Sequence, residues 1–304
     1  ESNETHVWAA LTSSSSGYYA SSVLQGEFLP NGSVRWEFGY NANQDIINSM
    51  QLDGEEIWLS TAGRGLWSID IANRVLSPTP AALHSQMDGM ILEDDGTMYV
   101  GLMGSQGSAA GFQTFDTSSR TWGQGSLIAG LPNNIVRGFV EHDDHILVAT
   151  WGGIGLWNTT KDGWDDPITT IDGLPTPIAD HLFTIDTPIQ GNGTILIGGP
   201  AGLTVLHQDN LSVLTTLNFG DGLVGNTVSG ITYAEATSRL VNNPDGSTTV
   251  LHHDAALFIS HNGQGSTRPG VAAWDIATDS ANGTYHIDMI PSNDVRAITT
   301  DDWG

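Results

Sequence analysis

The sequence predicts an all-β fold, a closed propeller of six blades, and three observations lead to that prediction. A small residue that opens an apolar strand recurs at nearly equal spacing along the chain. Windows that would otherwise suit an amphipathic helix are interrupted by glycines, of which there are 37. The two ends of the chain look like two halves of one repeated unit. Together these features indicate a repeat protein that closes on itself.

The recurring element is a glycine hinge between two apolar strands. The strand after each hinge opens at a glycine, and the intervals between these glycines are 48, 46, 44, 47 and 68 residues. A four-stranded propeller blade takes about 40–50 residues. The long last interval contains an insertion, residues 238–250, that we expect to form a hairpin around a Pro-Asp-Gly turn. The aligned glycines are Gly17, Gly65, Gly111, Gly155, Gly202 and Gly270.

The strand before each hinge has few charges and a large apolar residue, which suits burial between neighbouring blades. These apolar residues are Trp8, Trp58, Tyr99, Leu147, Leu196 and Phe258. In five units a further apolar strand comes first, usually separated from the second by an acidic or glycine turn such as Asp53-Gly54. Each unit therefore begins with a hairpin that leads into the hinge.

The first unit lacks this leading strand, and residues 295–299 supply a matching strand at the other end of the chain. We therefore expect both termini to share one composite blade, which would hide the edge strands of an open array. The prediction is a single domain over 1–304. Its blades are 295–304 with 6–41, then 45–80, 86–130, 131–175, 178–224 and 227–291.

Composition excludes several classes of partner and site. The formal net charge is −25, and 9 basic residues face 34 acidic ones. Nucleic-acid binding needs clustered lysine and arginine, so we expect no nucleic-acid partner. No apolar run is long enough to span a bilayer, so we expect no membrane insertion. The chain has no cysteine, which excludes disulfides, thiolate zinc sites and a cysteine nucleophile.

The sequence also favours a place outside the cytoplasm. It begins without methionine and without a signal peptide, so we expect a removed leader or a piece of a longer chain. Six Asn-x-Ser/Thr sequons occur, and Lys161 is the only lysine. We expect an extracellular or cell-surface protein, or a periplasmic one if the source is a diderm bacterium.

The connection between units has a distinctive pattern. Gly-Leu-Pro-Asn-Asn-Ile-Val-Arg at 130–137 precedes one leading strand, and Ala-Thr-Trp-Gly-Gly-Ile-Gly-Leu-Trp at 149–157 forms the hinge of the same unit. This resembles the two-component-regulator propeller repeat, over most of the chain and most clearly between Leu131 and Trp157. Such repeats occur in extracellular sensor regions of hybrid histidine kinases and in some cell-surface proteins. The resemblance implies a propeller that binds ligands or partners, and it does not imply an enzyme.

Hinges and blade connections line the funnel face of such a fold, so we expect ligand contacts there. Trp151 is suited to stack on a sugar or an aromatic ligand, and its alternative role is to pack over a neighbouring blade. Arg137 and Arg296 offer donors to a carboxylate or to sugar hydroxyls, or else pair with acids such as Asp180 or Asp294. The predicted binding residues are Arg64, Asn134, Arg137, Trp151 and Arg296.

No nucleophile with a base, carboxylate pair or metal-ligand set stands out in the sequence. The leading hypothesis is a non-enzymatic module that binds a small molecule, a glycan or a protein at the funnel face. Two alternatives stay open: a lyase or glycoside hydrolase acting at the funnel, and an architectural part of a surface assembly. Facing carboxylates in the funnel would favour the enzyme. We expect no cofactor, with calcium on the surface or in the channel as the open alternative.

Overall fold

The computed structural model describes residues 6–15, 18–28, 34–41, 45–103, 111–123, 129–189, 192–223, 225–234, 237–242, 247–253, 255–261, 270–275 and 280–286. In this part of the chain nearly all regular structure is antiparallel β-sheet. The helical residues described are two single 3₁₀ turns, Thr170–Asp172 and Phe219–Asp221.

Strands follow one another as meanders. The N-terminal sheet contains β1 (His6–Ser15), β2 (Tyr18–Phe28) and β3 (Val34–Asn41). Blade 1 contains β4 (Ile47–Asp53), β5 (Glu56–Thr61), β6 (Leu66–Asp70) and β7 (Val75–Pro78). Blade 2 contains β8 (Met87–Leu92), β9 (Thr97–Leu102), β10 (Gly111–Asp116) and β11 (Thr121–Trp122). Blade 3 contains β12 (Val136–His142), β13 (His145–Thr150), β14 (Gly153–Asn158) and β15 (Gly163–Ile168).

Blade 4 contains β16 (His181–Ile189), β17 (Gly193–Gly199), β18 (Gly202–His207) and β19 (Val213–Leu217). The inserted segment forms a separate two-stranded sheet of β21 (Thr237–Asn242) and β22 (Thr248–His253). Blade 5 is formed by β20 (Val228–Ala234), β23 (Ala256–His261), β24 (Gly270–Asp275) and β25 (Ser280–His286), in the order β20-β23-β24-β25.

The fold is an all-β propeller, but the prediction of six blades is wrong. Among the described residues, five sheets have four strands, and the N-terminal sheet has three. The glycine spacing records the number of hinges, and the N-terminal sheet has a hinge but only three strands among the described residues. The C-terminal strand that was expected to complete it, 295–304, lies outside the described residues.

The chain divides into two compact units, 1–139 with 144–167, and 140–143 with 168–304. In the first unit, Trp8 and Val23 of the N-terminal sheet pack in one cluster with Ile57, Leu59 and Ile69 of blade 1. All five side chains are at most 2% exposed. Apolar burial of this kind is the main stabilising term for sheets that stack face to face.

The same turn ends blades 3 and 4, and it explains the Asp-Gly-Leu pattern of the sequence. In Thr170–Asp172, the Thr169 side chain accepts a hydrogen bond from the turn backbone, and the Asp172 side chain accepts one from the Thr169 backbone. Gly173 then takes a left-handed conformation with φ of 105°. Glycine adopts this conformation without strain. Leu174 follows and is buried, so the pattern fixes where the next blade begins.

The turn between the third and fourth strands is also repeated. In blade 1 Asp70 Oδ1 accepts from Asn73 N at 2.8 Å, and in blade 2 Asp116 Oδ1 accepts from Ser119 N at 2.7 Å. Hydrogen bonds from the side chain and the backbone of Asn73 lower the pKa of Asp70, and hydrogen bonds from the backbone and the side chain of Ser119 lower the pKa of Asp116. Asn158 Oδ1 accepts from Lys161 N at 2.8 Å in blade 3, at the equivalent place. A short polar side chain at the end of the third strand therefore caps each of these turns.

Candidate functional site

The candidate site lies at the hinge end of the blades in the first unit. We define the hinge end of a blade as the start of its first strand together with the loop joining its second and third strands. Ile47 pairs with Thr61 in blade 1, and Met87 pairs with Leu102 in blade 2. Antiparallel pairing therefore places first-strand starts beside the hinges, as the sequence required.

The first strands of blades 1 and 2 carry a β-bulge at the hinge end. The register shifts between Ile47 and Ser49 in blade 1 and between Met87 and Met90 in blade 2. A bulge redirects a side chain that a regular strand would place in the ladder. Asn48 and Asp88 stand in these bulges.

In blade 3, Arg137 holds the matching sequence position, since Val136-Arg137-Gly138 aligns with Met87-Asp88-Gly89. We call Asn48, Asp88 and Arg137 the inner polar row.

Contacts join the members of the inner polar row. Arg137 Nη1 forms an ion pair with Asp88 Oδ2, whose residue is 8% exposed. Asn48 Nδ2 donates to the Met87 carbonyl oxygen at 2.7 Å. A methyl group on Gly89 would lie 2.5 Å from the Arg137 carbonyl oxygen, so the two first strands touch. The row therefore links three neighbouring blades, and Asp88 neutralises the charge of Arg137.

Arg64 stands in a hinge held by hydrogen bonds. Its backbone N–H donates to Thr61 Oγ1 at 3.0 Å, and its carbonyl accepts from Trp67 Nε1 at 3.2 Å. Gly65, with φ of 83°, donates its N–H to the Ser85 carbonyl at 2.8 Å. The Arg64 side chain is exposed and forms no ion pair within the described part of the chain. The backbone is fixed while the guanidinium faces solvent.

Trp151 and Asn134 lie on two loops that pack together in blade 3. Trp151 N–H donates to the Ile135 carbonyl at 3.3 Å. Thr150 Oγ1 accepts from Gly152 N at 3.1 Å and donates to the Gly153 carbonyl at 2.7 Å. The indole of Trp151 is 45% exposed, and Asn134 is exposed as well. An aromatic side chain is thus presented to solvent on a rigid hinge.

The connection below this hinge is fixed by close packing. Gly130 has φ of 103°, and a methyl group on it would lie 2.3 Å from Trp164 Cγ. Trp164 packs edge-on against Trp157 with ring centroids 5.2 Å apart, and it also contacts Phe112. Asn133 Oδ1 accepts from Ile135 N at 2.8 Å. The loop that carries Asn134 therefore has one conformation set by its neighbours.

At the other end of blade 3, His145 lies between two carboxylates. Its Nδ1 is 2.8 Å from Asp144 Oδ1, and its Nε2 is 2.9 Å from Asp165 Oδ2. Lys161 Nζ is 2.9 Å from Asp165 Oδ1. The hydrogen bond from His145, followed by that from Lys161, lowers the pKa of Asp165 to about 2. The carboxylates stand on opposite sides of the ring, so this cluster joins two turns and does not converge on one ion.

Metal binding finds no support in the described residues, where no three His, Asp or Glu side chains converge. The carboxylates described at the hinge ends of blades 1 and 2 are already engaged. Asp45 accepts from the backbone of Ile46 and Gly63 at 2.9 and 3.1 Å, and Asp88 holds Arg137.

The structure brings together three of the five predicted binding residues. Asn134, Arg137 and Trp151 belong to one hinge end, and Arg64 belongs to the hinge of blade 1, with blade 2 between them. Arg296 lies outside the described residues.

Sequence reasoning missed Asp88 and Asn48. The sequence does contain a signal for the Asp88 contact: an Asp-Gly pair in blade 2 and an Arg-Gly pair in blade 3 stand at matching positions and carry opposite charges.

No protein-family model matches the chain, and no curated protein sequence matches it. A solved structure is similar in fold: the extracellular domain of a protein assigned to a hybrid two component system in B. thetaiotaomicron. The TM-score is 0.57 and the sequence identity 12%, over 92% of this chain. This chain spans 35% of that chain, about a third of its length. The likeness shows the propeller fold, and the repeat family stays a resemblance of sequence.

Helices in the described ranges are single 3₁₀ turns, and none of them has the length or apolar character to cross a bilayer.

Proposed function

We propose that this chain is a non-enzymatic binding module that works outside the cytoplasm and recognises a ligand at the hinge end of blade 3. One observation carries the proposal. Trp151 is 45% exposed on a fixed hinge, whereas the matching positions of blades 1 and 4 hold the small residues Ala62 and Pro200. The hinge therefore does not need a tryptophan to fold. A rigid, exposed aromatic ring is a common anchor for ligands and partners.

The surroundings of Trp151 favour a glycan or a similar hydroxyl-rich molecule. The indole offers a flat apolar face, and exposed Asn134 offers both a donor and an acceptor on the loop packed beside it. Arg137 is held by Asp88, so it adds N–H donors with little net charge. The chain's formal charge of −25 disfavours a polyanion. Arg64 provides a separate contact in blade 1 for a carboxylate or for sugar hydroxyls.

The contacts of the carboxylates at the hinge ends favour binding over hydrolysis. A retaining glycosidase needs two carboxyl groups about 5–5.5 Å apart across the bond it cleaves. Asp45 and Asp88 instead accept hydrogen bonds from the backbone and from arginine. The extracellular origin of the similar B. thetaiotaomicron domain and the acidic composition support a place outside the cytoplasm.

A thermal-shift screen tests this proposal. Neutral glycans, sugar acids, small carboxylates and calcium are added to the wild type, to Trp151→Ala and to Phe219→Ala. Phe219 is the matched control because it is an aromatic residue 65% exposed on another connection. A ligand at 100 times its Kd stabilises the folded state by about 2.7 kcal/mol.

We expect a glycan to raise the Tm of the wild type and of Phe219→Ala and to leave Trp151→Ala unchanged. An equal response of all three proteins, or no response to any compound, contradicts the proposal. Release of shorter sugars from the glycan that binds, followed by chromatography, would instead support the enzyme.

A further inference from the structure

We propose that Asn210 is the site of an N-linked glycan. The inference rests on the proposed export of the chain, and it is independent of the ligand that the hinge end binds. The sequence holds six Asn-x-Ser/Thr sequons, and the structure describes the asparagine side chains of three of them: Asn158, Asn192 and Asn210. These three differ in whether an enzyme can reach the amide nitrogen and the hydroxyl that a sequon must present.

The Asn158 side chain is buried and makes hydrogen bonds that hold its turn. It is 2% exposed, and its Oδ1 caps the turn after β14 by accepting from Lys161 N. Its Nδ2 lies 3.4 Å from both Asp144 Oδ2 and Asp165 Oδ2. The residue has the role that Asp70 and Asp116 have in other blades, so its amide nitrogen is not available to accept a sugar.

In the sequon of Asn192 the asparagine is accessible to an enzyme and the threonine is not. The asparagine is exposed in the turn before β17, but Thr194 is 8% exposed. The Thr194 Oγ1 atom itself is buried and has no hydrogen-bond partner among the described residues. An enzyme acting on the folded protein therefore cannot contact this hydroxyl.

Asn210 presents both halves. Asn210 and Ser212 are exposed in the turn between β18 and β19. The Asn210 Oδ1 accepts from Ser212 N at 3.0 Å, which holds the side chain while Nδ2 makes no hydrogen bond within the described residues. The turn is closed by the His207 N–H, which donates to the Ser212 carbonyl at 2.9 Å, and by a left-handed Leu211 with φ of 56°.

The position also leaves room for a glycan. The strand β18 separates this turn from the hinge at Gly202, and six residues of strand span about 20 Å. A sugar chain on Asn210 would therefore stand at the far end of blade 4 from its own hinge.

Glycopeptide mass spectrometry of the mature protein from the cells that produce it tests the proposal. We expect a glycan on Asn210 and none on Asn158. Expressed in a host that exports and glycosylates it, Asn210→Asp should lose one glycan mass from the intact protein. Aspartate keeps the oxygen that accepts from Ser212 N and removes only the amide nitrogen, so the turn should survive.

Ser212→Ala should lose the same mass, and Ser212→Thr should restore it. Asn158→Asp, which also keeps its capping oxygen, should change nothing in the glycan mass. An unmodified Asn210 in the mature protein would overturn the proposal, as would a glycan found on Asn158 with Asn210 bare. Neither readout depends on ligand binding, so failure of the proposed function would be seen separately in the thermal-shift screen.

Discussion

The hinge ends of blades 3 and 4 share a backbone and differ in what they show to solvent. A methyl group on Gly152 would lie 2.5 Å from the Pro132 carbonyl oxygen, and one on Gly199 would lie 2.7 Å from the Ile178 carbonyl oxygen. Each hinge is thus pressed against the connection that enters its own blade. Because both contacts are made by backbone, they do not depend on the side chain next to them.

The hinge residues themselves differ: Thr150-Trp151-Gly152-Gly153 matches Gly199-Pro200-Ala201-Gly202, so the shared glycine is the one that opens the third strand, with φ of 127° in blade 3 and 124° in blade 4. Blade 3 places Trp151 there, 45% exposed. Blade 4 places Pro200 and Ala201 there, next to a cavity of about 10 Å³ under its connection. A space of that size holds about one water molecule. The comparison teaches that the left-handed glycine at the start of the third strand belongs to the fold, whereas the residue after the second strand is available for binding.

The largest expected effect comes from substituting the hinge glycines that pack against a connection. Gly152→Ala and Gly199→Ala should each lower the free energy of unfolding by about 2–3 kcal/mol, because a carbonyl in a packed connection cannot move away from the new methyl group. Gly163→Ala is the control, since its nearest neighbour would be 3.9 Å away, and it should cost less than about 0.5 kcal/mol. Urea unfolding measures all three. A cost below about 1 kcal/mol for either glycine variant would show that the connection beside it can move away from the methyl group.

The next effect concerns the ion pair between Asp88 of blade 2 and Arg137 of blade 3; the position of Arg137 is held in blade 4 by Asp180. Arg137→Gln and Asp88→Asn should each cost about 2 kcal/mol, because each removes one member of an ion pair that has reduced access to solvent. The double variant should cost about 1–2 kcal/mol less than the sum of the two. Arg64→Gln, at an exposed guanidinium, is the control and should be nearly neutral. Strictly additive costs would mean that the pair has no coupling energy.

A smaller effect concerns how stability depends on pH, and it differs between blades 3 and 4 at the turns opposite their hinges. The Asp165 carboxylate contacts His145 at 2.9 Å, whereas in blade 4 the Asp209 carboxylate is 3.9 Å from His207 Nδ1. The pKa of Asp165 is lowered to about 2 in the folded protein. Its contribution to stability is therefore present above about pH 4 and is lost as the pH falls toward 2.

Urea midpoints measured between pH 6 and pH 2 check this prediction. The wild type should lose stability more steeply below pH 4 than Asp165→Asn does. Asp209→Asn, the matched change in blade 4, should follow the wild type. Parallel curves for the wild type and Asp165→Asn would contradict the assignment.

The smallest expected effect is on the residue that the comparison singles out. Trp151→Ala should lower the free energy of unfolding by less than about 1 kcal/mol, since 45% of the residue is already exposed and the hinge is held by its backbone. Equilibrium unfolding without ligand is the measurement. A loss above about 1 kcal/mol would return Trp151 to a packing role and remove the main support for binding.

The pattern of strands and hinges was largely predictable from the sequence. Hinge glycines with apolar strands on both sides predicted the antiparallel strands, and the Gly-Leu pattern of the connections predicted where blades begin. These signals are local, because they record backbone conformations that few residues other than glycine adopt. For Trp151 the sequence left two roles open, stacking on a ligand or packing over a neighbouring blade, and the structure places the residue 45% exposed.

The rest required positions in space. Arg137 was predicted to bind a ligand or to pair with an acid such as Asp180 or Asp294, and the acid it meets is Asp88, 49 residues away. That contact depends on how two first strands approach at Gly89, which no local pattern encodes. The prediction of six blades was wrong for a related reason. Glycine spacing gives the number of hinges, whereas only strand pairing shows whether a sheet has three strands or four.

The exposed residue beside each hinge glycine also determines how such a protein can diversify. The backbone N–H groups of Ala62 and Trp151 donate to the carbonyls of Ile46 and Ile135, and Gly199, beside Pro200, packs against the Ile178 carbonyl. A single codon change there alters the chemistry of the surface while the scaffold is conserved. Repeats of this kind can therefore acquire new specificities one blade at a time.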